Sequence, residues 1–438
     1  MSALAELLAR SGVRVTGCDA NASGTADLER LGIEVMKGHD PSHAEHVAAL
    51  VVTSAMPHDH PELARARALG VPVIRRAEAL GEVVSVGDVV GIAGTHGKTT
   101  TTVMTTEALA AAGLDPTGVA GGRVGAWNGN LRHGADRLFV VEADEYDRSF
   151  LALSPRVAVV NNIEADHLDI YADLADIRGA FAQFASGART IVLGADDAGA
   201  NTLPVPSTAE IIRFGIESPD ARLVARDLRG VDGGSVYTVV FDNEPLDEIT
   251  LRVPGSHNVR NSLAALASGL ALGADVARMA RGLATFTGVE RRFQRVGDVR
   301  GVTIVDDYAH HPTEIRATLA AARAAFPGRR LIAAFQPHLF SRTRDFAGEF
   351  GSALADADAV FLTEIYPARE QPIEGVTSGL IERAVRAAGA TLAWRGERSA
   401  LADALATWVR SGDVVLTIGA GDITRTGPEL LGRLTAAA

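Results

Sequence analysis

Short apolar runs alternate with longer runs of helical periodicity along the whole chain. Runs rich in valine and isoleucine lie at residues 50–54, 89–93, Val157–Val160 and Val414–Ile418. The segments between such runs carry alanine, leucine and arginine at helical spacing, as in Pro312–Ala325. Continuous apolar strands that alternate with helices are typical of parallel sheets covered on both faces. The pattern therefore predicts an α/β fold with mainly parallel sheets.

The order of these elements predicts three domains, at residues 1–85, 86–296 and 297–438. We expect a Rossmann-like first domain, a central P-loop ATPase-type parallel sheet, and a Rossmann-like third domain. In the first domain, the predicted elements are a helix at 2–11 and strands at 13–17, 50–54 and 72–74. In the third, they are the helix Pro312–Ala325 and strands at 301–305, Leu331–Phe335, 359–365 and Val414–Ile418.

The first predicted domain reaches its acidic residue early. In a Rossmann-like unit, an acidic residue at the end of the second strand follows the glycine-rich turn by about 20 residues. Asp19 occupies that place here. We therefore expect the first strand and its glycine loop to precede Met1, so that the first domain of this chain is truncated.

Composition and charge narrow the function classes. The net charge of -12 over 438 residues argues against nucleic acid as a partner. The single cysteine, Cys18, excludes a disulfide within the chain and fits a reducing compartment. No apolar run approaches the length of a membrane span, and residues 2–9 lack the basic start of a signal peptide. The sequence therefore predicts a cytoplasmic protein with neither a membrane nor a nucleic-acid partner.

A glycine-rich turn joins the apolar run 89–93 to a helical run at 103–112. The turn reads Gly-Thr-His-Gly-Lys-Thr-Thr. A strand, a glycine turn and a helix together present backbone N–H groups to phosphate, with Lys98 reaching the outer phosphates and the Thr99 hydroxyl holding Mg²⁺. The spacing departs from the Walker pattern, because Ile92 stands where that pattern has its first glycine.

The lysine of this turn is informative because lysine is scarce. Lys37 and Lys98 are the two lysines among 42 basic residues. A compact ammonium suits a phosphate site where a guanidinium fork does not fit, and we expect Lys98 on a solvent-facing loop. The alternative is an ordinary strand-to-helix turn that contains a lysine. The predicted nucleotide-binding residues of the turn are Gly94, Thr95, His96, Gly97, Lys98, Thr99 and Thr100.

Two further predicted strands end in acidic segments. The strand at 138–141 is followed by Glu142, and Val157–Val160 is followed by a segment that reaches His167. Ligands of parallel sheets bind beyond the carboxyl ends of the strands, so we expect both residues beside Lys98. A carboxylate and an imidazole beside a phosphate loop suit Mg²⁺. Solvated acidic loops are the alternative interpretation.

Other polar segments lie next to predicted helices and strands. Asn258 precedes a helical run at 262–270 and is either a helix N-cap or a binding residue. Arg292 belongs to an arginine pair that suits a surface position or a phosphate clamp.

The third domain carries a second set of polar residues at strand ends. Asp307 and His310 follow the strand at 301–305, and Arg342 follows Leu331–Phe335. The pair of histidines at 310 and 311 suits either a metal site or the cap of the next helix.

Taken in order, these motifs resemble those of the Mur ligase family over nearly the whole chain. The segments that carry the resemblance are 94–102, 142–145, 162–167, 257–261, 291–294, 307–312, 335–338, 341–343 and 419–423. His96 and the turn at 307–312 point to the member of the family that adds L-alanine. The resemblance implies a UDP-binding domain, an ATPase domain and a domain that closes over the amino acid.

The resemblance also implies the ligands and the site. ATP and Mg²⁺ are the implied cofactors, and UDP-N-acetylmuramate and L-alanine are the implied substrates. Lys98 is implied to contact the β- and γ-phosphates, and the implied Mg²⁺ ligands are Thr99, Glu142 and His167. In the rest of the chain, Asn258 is implied to contact adenine, Arg292 a phosphate, and Asp307 the nucleotide. The implied catalytic residues are Lys98, His167, Asp307, His310 and Arg342.

The implied reaction is an ATP-dependent, ADP-forming ligation that passes through an acyl phosphate, in peptidoglycan precursor synthesis. Two alternatives stay open. One is a ligase of the same fold that attaches a tripeptide to the same sugar acid. The other is a catalytically idle ATP-binding protein, if the segment expected before Met1 is missing. The sequence carries no signal for the oligomeric state.

Overall fold

The computed structural model describes residues 1–20, 25–231, 233–368 and 370–436. The chain divides into two compact units. The first comprises Met1–Arg226, Thr238–Ile249 and Arg260–Thr285, and the second comprises Asp227–Tyr237, Thr250–Val259 and Phe286–Ala438. Within the described ranges, every helix is too short or too polar to span a bilayer.

Four short strands and four helices form the start of the first unit. They are α1 Ser2–Arg10, β1 Thr16–Asp19, α2 Ala26–Glu29, β2 Glu34–Lys37, β3 Leu50–Val52, α3 Pro61–Leu69, β4 Val73–Arg75 and α4 Arg76–Val84. β1 pairs in parallel with β2, and β3 pairs in parallel with β4, as two separate sheets of the described residues. The predicted helix and strands are confirmed, although β1 begins three residues later than its apolar run, which the sequence places at 13–17.

The middle of the chain contains most of the strands. The elements are β5 Asp88–Ala93, α5 Lys98–Ala111, β6 Thr117–Val124, β7 Gly129–Arg132, β8 Leu138–Glu142, β9 Val157–Val160, α6 Leu174–Ala185, β10 Thr190–Gly194, α7 Ala198–Asn201, β11 Glu210–Gly215, β12 Leu223–Val231, β13 Gly234–Phe241, β14 Glu244–Leu251, α8 Ser256–Ala271 and α9 Val276–Thr285. In the first unit, the strand order is β11-β10-β9-β5-β8-β6-β7. All neighbours in it are parallel except the edge pair β6 and β7.

β5 is the middle one of these seven strands, and its sequence suits an interior position. Five of its six residues are buried, as expected for a strand covered on both faces. Gly91 lies within β5, and a Cβ there would stand 2.8 Å from the ring of Phe184. Phe184 stacks on Phe150 with ring centroids 5.1 Å apart. Each fully buried aromatic ring contributes roughly 1.5–3 kcal/mol, so this packing fixes the strand that leads into the glycine-rich turn.

The second unit contains a six-stranded sheet. Its elements are β15 Gln294–Val299, β16 Val302–Asp307, α10 Pro312–Ala325, β17 Leu331–Phe335, α11 Phe340–Asp345, α12 Ala347–Leu354, β18 Ala359–Thr363, α13 Gly379–Ala387, β19 Leu392–Gly396, α14 Arg398–Trp408, β20 Val414–Ile418 and α15 Thr426–Ala436. The order is β15-β16-β20-β17-β18-β19, and only the edge strand β15 is antiparallel. β15 is not predicted from the sequence, and the expected domain boundary between residues 296 and 297 falls inside it.

Both faces of this second sheet are covered. Val305 and Leu416 pack in one hydrophobic cluster, whereas Ile304 and Val415 pack in another. Successive residues of a strand point to opposite faces, so the two clusters are the two sides of a doubly wound sheet. The predicted α/β class with mainly parallel sheets is confirmed.

Short 3₁₀ segments complete the described structure. They span Pro41–Ala44, Gly125–Trp127, Tyr146–Ala152 and Asp422–Arg425.

Candidate active site

The glycine-rich turn after β5 exposes the amides of a helix. Gly94 has φ +141° and Gly97 has φ +79°, both in the region that favours glycine. A Cβ on Gly97 would stand 2.5 Å from the Asn261 amide oxygen. α5 begins at Lys98, and its first intrahelical bond runs from the Thr101 amide to the Gly97 carbonyl at 2.9 Å. The earlier amides therefore point beyond the helix, which is the geometry of an anion site.

The helix begins five residues earlier than the sequence predicts, and this corrects the placement of Lys98. Lys98 is the first residue of α5 rather than part of a solvent-facing loop, and its side chain is only 14% exposed. Its Nζ donates to the carbonyls of Gly94 at 2.8 Å and Thr95 at 3.2 Å. It also donates to the Glu145 carboxylate at 2.9 Å. The ammonium is thus held directly over its own turn.

Lys98 and Glu145 form a buried ion pair. Burial lowers the pKa of Lys98, but the carboxylates of Glu145 and Asp144 outweigh it, so the pKa lies above its ordinary value. Burial raises the pKa of Glu145 to about 7 against the opposing effect of Lys98. Lys98 therefore stays charged at neutral pH, and burial acts against the negative charge of Glu145.

Thr99 and Glu142 meet as predicted. The Thr99 hydroxyl donates to Glu142 Oε1 at 2.9 Å, and Glu142 Oε2 accepts from the Gly121 amide at 2.5 Å. Glu142 is the last residue of β8, which neighbours β5 in the sheet. Gly121 is required there, because a Cβ would stand 2.7 Å from the carboxylate.

His167 lies beside the acidic group that holds Lys98. Its Nε2 is 3.7 Å from Glu145 Oε1 and 3.7 Å from Asp166 Oδ2. Its ring packs edge-on against Tyr146, with centroids 5.1 Å apart. The residue has φ +53°, a left-handed conformation that is uncommon outside glycine. The structure therefore joins His167 to the lysine through Glu145, a residue that the sequence interpretation does not assign to the site.

The segment after β9 pins the glycine-rich turn in place. The Asn162 amide group accepts from the His96 N–H at 2.7 Å and donates to the His96 carbonyl at 3.2 Å. The Thr95 hydroxyl accepts from the Glu164 amide at 2.9 Å, and His96 Nε2 lies 3.2 Å from Glu164 Oε2. These contacts fix the turn before any ligand arrives. The sequence signal for these contacts is the asparagine pair after β9, of which Asn162 is the second residue.

A second set of contacts fixes the first turn of α5 from behind. Asn161 Nδ2 donates to the Thr101 hydroxyl at 3.0 Å, which donates to Asn261 Oδ1 at 3.1 Å. All three side chains are buried, as is that of Thr100 beside them in sequence. A buried chain of hydrogen bonds of this kind holds a unique geometry.

A cavity of about 410 Å³ lies near this site in the first unit. Its lining includes the cationic Arg75, Arg76 and Arg148, the hydroxyl of Ser54, and the acidic Glu78, Asp144 and Asp147. Tyr146, which packs against His167, also lines it. The cavity therefore places guanidinium, hydroxyl and carboxylate groups next to Tyr146, which contacts His167.

The second unit contains its own polar cluster, at the end of β16. Asp307 is buried, and its carboxylate accepts from the Phe293 amide at 2.8 Å and the Ala309 amide at 2.7 Å. Burial raises the pKa of Asp307 to about 6, although Arg292 opposes the shift. The sequence places Asp307 correctly at a strand end.

Two arginines surround Tyr308 next to Asp307. The guanidinium carbons of Arg291 and Arg292 lie 4.7 Å and 4.8 Å from the centroid of the Tyr308 ring. Arg291 also donates to the carbonyls of Gly419 at 2.7 Å and Gly421 at 3.1 Å. Arg292, the predicted phosphate contact, is therefore held by stacking and lies 3.9 Å from Glu314.

The adjacent histidines His310 and His311 make different contacts. His311 is the N-cap of α10, and its Nδ1 accepts from the Thr313 amide at 3.4 Å. Glu314 accepts from the amides of His310 at 2.9 Å and His311 at 3.2 Å. His310 Nδ1 lies 3.1 Å from the Tyr308 carbonyl. The helix-cap interpretation is therefore confirmed for His311, and His310 faces the cluster around Tyr308.

Asn258 and Arg342 occupy helices of their own. Asn258 lies inside the first turn of α8, where its Nδ2 donates to the Pro254 carbonyl at 2.7 Å, so it is not the residue that precedes the helix. Arg342 is buried within α11, the short helix after β17. The contacts described above do not join either residue to Asp307.

The residues of the first unit fit Mg²⁺ at one place. Thr99 and Glu142 supply a hydroxyl and a carboxylate oxygen 2.9 Å apart, and oxygen ligands are what this cation prefers. Imidazole suits softer metals better, and the described contacts of His167 are to Glu145 and Asp166. Thr99 and Glu142 would hold the ion, and His167 as a ligand stays a prediction.

Comparisons with known proteins agree with this geometry. Residues 1–86 match the domain described as "Mur ligase family, catalytic domain". Residues 92–269 match "Mur ligase middle domain", and residues 291–421 match "Mur ligase, glutamate ligase domain".

Curated relatives cover nearly the whole chain. The UDP-N-acetylmuramate–L-alanine ligase of Streptomyces avermitilis is 44% identical over 99% of this chain and 95% of its own length. The enzyme of the same name from Cutibacterium acnes is 45% identical over 99% and 93%.

Solved structures show the same fold. The UDP-N-acetylmuramate–alanine ligase of Thermotoga maritima has a TM-score of 0.85 at 28% identity and covers 100% of this chain and 97% of that chain. A murein peptide ligase from Psychrobacter arcticus has a TM-score of 0.73 at 26% identity, over 99% and 96%. The three domain matches and the identity over the full length show that this chain belongs to the Mur ligase family.

Proposed function

We propose that this chain is an ATP-dependent ligase that joins L-alanine to the carboxylate of UDP-N-acetylmuramate, with release of ADP and phosphate, in peptidoglycan precursor synthesis. The observation that carries the proposal is the turn after β5, where open helix amides, Lys98 and the Thr99–Glu142 pair converge. Relatives of the same name, at 44% and 45% identity, support the choice of substrates.

The phosphate loop binds the nucleotide in this proposal. The first amides of α5 and its positive N-terminal end attract phosphate oxygens. Lys98 keeps its charge and exchanges part of its contacts with Gly94, Thr95 and Glu145 for the outer phosphates. Thr99 and Glu142 would hold Mg²⁺, which would supply positive charge next to the phosphate oxygens.

The reaction needs positioning more than a covalent nucleophile. A carboxylate oxygen of the sugar acid attacks the γ-phosphorus of ATP, the bond to ADP breaks, and an acyl phosphate forms. The neutral amine of L-alanine then attacks the acyl carbon, phosphate leaves, and the amine proton is lost to solvent. Lys98 stabilises the transferring phosphoryl group, and the fixed turn supplies orientation without reorganisation.

The arginine-lined cavity is the proposed place for the acidic sugar substrate. A nucleotide sugar acid carries a diphosphate and a carboxylate, and both suit guanidinium and hydroxyl groups. Arg75, Arg76, Arg148 and Ser54 offer such groups around about 410 Å³. Arg75 and Arg148 are already poised by ion pairs with Asp147 at 3.5 Å and Asp176 at 2.7 Å.

The residues of the second unit keep the roles that the resemblance implies. Asp307 and Arg292 are proposed to contact the nucleotide, and Asn258 its adenine. His310 and Arg342 are proposed to act near the muramoyl and alanine groups. The burial of Asp307 and the aromatic support of Arg292 hold these two side chains in one geometry, as a binding role requires.

The experiment is an ADP-release assay with ATP, Mg²⁺, UDP-N-acetylmuramate and one of two acceptors, with the product identified by mass spectrometry. We expect product with L-alanine and none with the tripeptide L-alanyl-γ-D-glutamyl-meso-diaminopimelate. If product forms only with the tripeptide, the chain is a tripeptide-adding ligase and the proposal is wrong. If the protein binds ATP but forms neither product, it is a catalytically idle ATP-binding protein. Lys37→Ala is the control for Lys98→Ala, because Lys37 is exposed at the end of β2.

A further inference from the structure

A thiol, an imidazole and a carboxylate that could bind a metal lie together in the first unit, at the carboxyl ends of β1 and β2. Cys18 is in β1, His39 follows β2, and Glu62 is in the first turn of α3. Five of the 12 histidines of the chain lie between residues 39 and 60, and His39 of this segment contacts the single cysteine, Cys18. The proposed function uses none of these residues.

The three ligand atoms are spaced as around one ion. Cys18 Sγ is 3.4 Å from His39 Nδ1 and 3.1 Å from Glu62 Oε1. His39 Nδ1 is 3.8 Å from Glu62 Oε2. Zinc bonds of about 2.0–2.3 Å in tetrahedral geometry place ligand atoms roughly 3.4–3.6 Å apart. Small movements of the side chains therefore suffice to bring the three groups onto one metal.

Two further histidines complete the surroundings. His60 precedes α3, and its ring lies edge-on to that of His39 with centroids 4.8 Å apart. Its buried Nδ1 has no hydrogen-bond partner among the described residues and lies 3.9 Å from Glu62 Oε2. His43 Nδ1 lies 2.8 Å from Glu62 Oε1 and so orients this carboxylate.

We propose that Cys18, His39, Glu62 and His60 form a site for a zinc-like divalent transition metal. A thiolate, two imidazoles and a carboxylate are a donor set for zinc and not for magnesium. His43 acts as the outer partner that fixes the Glu62 carboxylate. The site is separate in composition from the Thr99–Glu142 pair, which offers only oxygen.

The metal-free state fits this assignment. Glu62 is almost fully buried, which is unfavourable for a carboxylate unless it is paired. The Cys18 thiol donates to its Oε1 at 3.1 Å. Metal binding replaces the S–H bond by a metal–sulfur bond and releases one proton to solvent. The ion then bridges β1, the turn after β2 and the start of α3.

The test uses the fact that the chain has one thiol. Chelator-treated full-length protein is titrated with Co²⁺, and the thiolate-to-cobalt absorption band is followed and then displaced by Zn²⁺. We expect one Co²⁺ per chain, a band that Cys18→Ser removes, and release of about one proton per metal. His39→Ala should weaken Zn²⁺ binding by at least the 10- to 100-fold that loss of an outer partner costs.

His58→Ala is the matched control, because His58 belongs to the same histidine-rich segment but is exposed. It should bind Zn²⁺ like the wild type. Equal affinity of His39→Ala and His58→Ala, or a wild type without the cobalt band, would overturn the proposal. The metal-free variants are first compared by thermal unfolding. If His39→Ala unfolds early, Zn²⁺ protection of the wild-type thiol from a disulfide reagent decides instead, and absence of protection also overturns it.

Discussion

The turns at residues 94–97 and 308–311 each connect a buried parallel strand to a helix. They differ in whether the first backbone amides of that helix have a hydrogen-bond acceptor. After β5, two glycines with positive φ leave the first amides of α5 directed outward. After β16, Glu314 accepts the amides of His310 and His311, and the His311 ring accepts the next one, from Thr313. The first turn leaves amide donors open, whereas the second satisfies its own donors.

The difference also fixes which charge each turn presents. The first turn holds the ammonium of Lys98 over its carbonyls. The second buries the carboxylate of Asp307 between two amides, with arginines around Tyr308 close by. A strand-to-helix turn in this fold thus has open amides where glycines with positive φ precede the helix, and a buried carboxylate where a His-Pro pair begins it.

Lys98→Ala should have the largest effect on ligase activity, because the first turn then keeps its open amides but loses its only ammonium group. Loss of one such contact to a transferring phosphoryl group typically costs several kcal/mol, on the order of 10²-fold or more in rate. The measurement is ligase turnover with saturating ATP, beside circular dichroism to verify folding. Lys37→Ala should turn over like the wild type. Wild-type turnover of Lys98→Ala would refute the assignment of the loop.

Glu142→Ala should lower activity in a way that added Mg²⁺ partly restores, because its carboxylate oxygen lies 2.9 Å from the Thr99 hydroxyl. We expect His167→Ala to behave likewise if it is a ligand, and to be insensitive to Mg²⁺ if it acts only through Glu145. Rates measured across a Mg²⁺ titration separate the two cases. Loss of activity that no Mg²⁺ concentration changes in either variant would show that both acidic loops are structural.

Gly97→Ala should be more harmful than Gly113→Ala, although both glycines have positive φ. A left-handed alanine costs roughly 1–2 kcal/mol at either position. At Gly97 the new Cβ would also stand 2.5 Å from the Asn261 amide oxygen, whereas at Gly113 the nearest atom is 3.9 Å away. We expect both variants to be less stable, but only Gly97→Ala to lose ATP affinity. Equal ATP affinities in calorimetry would show that the turn is not the nucleotide site.

The sequence predicts the parallel strands and the turn because their signals are local. The apolar runs of β5 and β9 and the glycines at 94 and 97 suffice to place the phosphate loop. The role of Glu145 is not predictable in this way, because it depends on how the segment after β8 folds back over Lys98. Asn161 and Asn162 were visible after a strand, but their partners, Thr101 and His96, lie 60 and 66 residues away.

Two other differences have similar physical causes. α5 begins at Lys98 because Gly97 takes a left-handed conformation directly before it, and four successive threonines do not delay the helix once they are buried. Tertiary packing here overrides the weak helix propensity of threonine. β15 was missed because Gln294–Val299 is mostly polar, and it forms an antiparallel edge that needs only one apolar side.

The pH dependence of stability should report on the buried carboxyl group of Asp307 in the second turn. Burial raises the pKa of Asp307 to about 6 from 3.8, so the folded protein holds this proton longer than the unfolded chain does. Between these two values the native state binds more protons, and the free energy of unfolding therefore falls as pH rises. Relative to Asp307→Asn, which cannot titrate, the wild type should lose stability from about pH 4 to pH 6.

Asp298→Asn provides a control of opposite sign. Its hydrogen bond with Arg295 lowers the pKa of Asp298, so the stability it contributes is present above its ordinary pKa and is lost as pH falls through the folded value. Denaturant midpoints of the three proteins at several pH values give both difference curves. A wild-type curve that is flat or rising relative to Asp307→Asn would mean that water reaches this carboxylate. The second turn would then present an exposed acid rather than the buried, partly protonated one that its hydrogen bonds to Phe293 and Ala309 enclose.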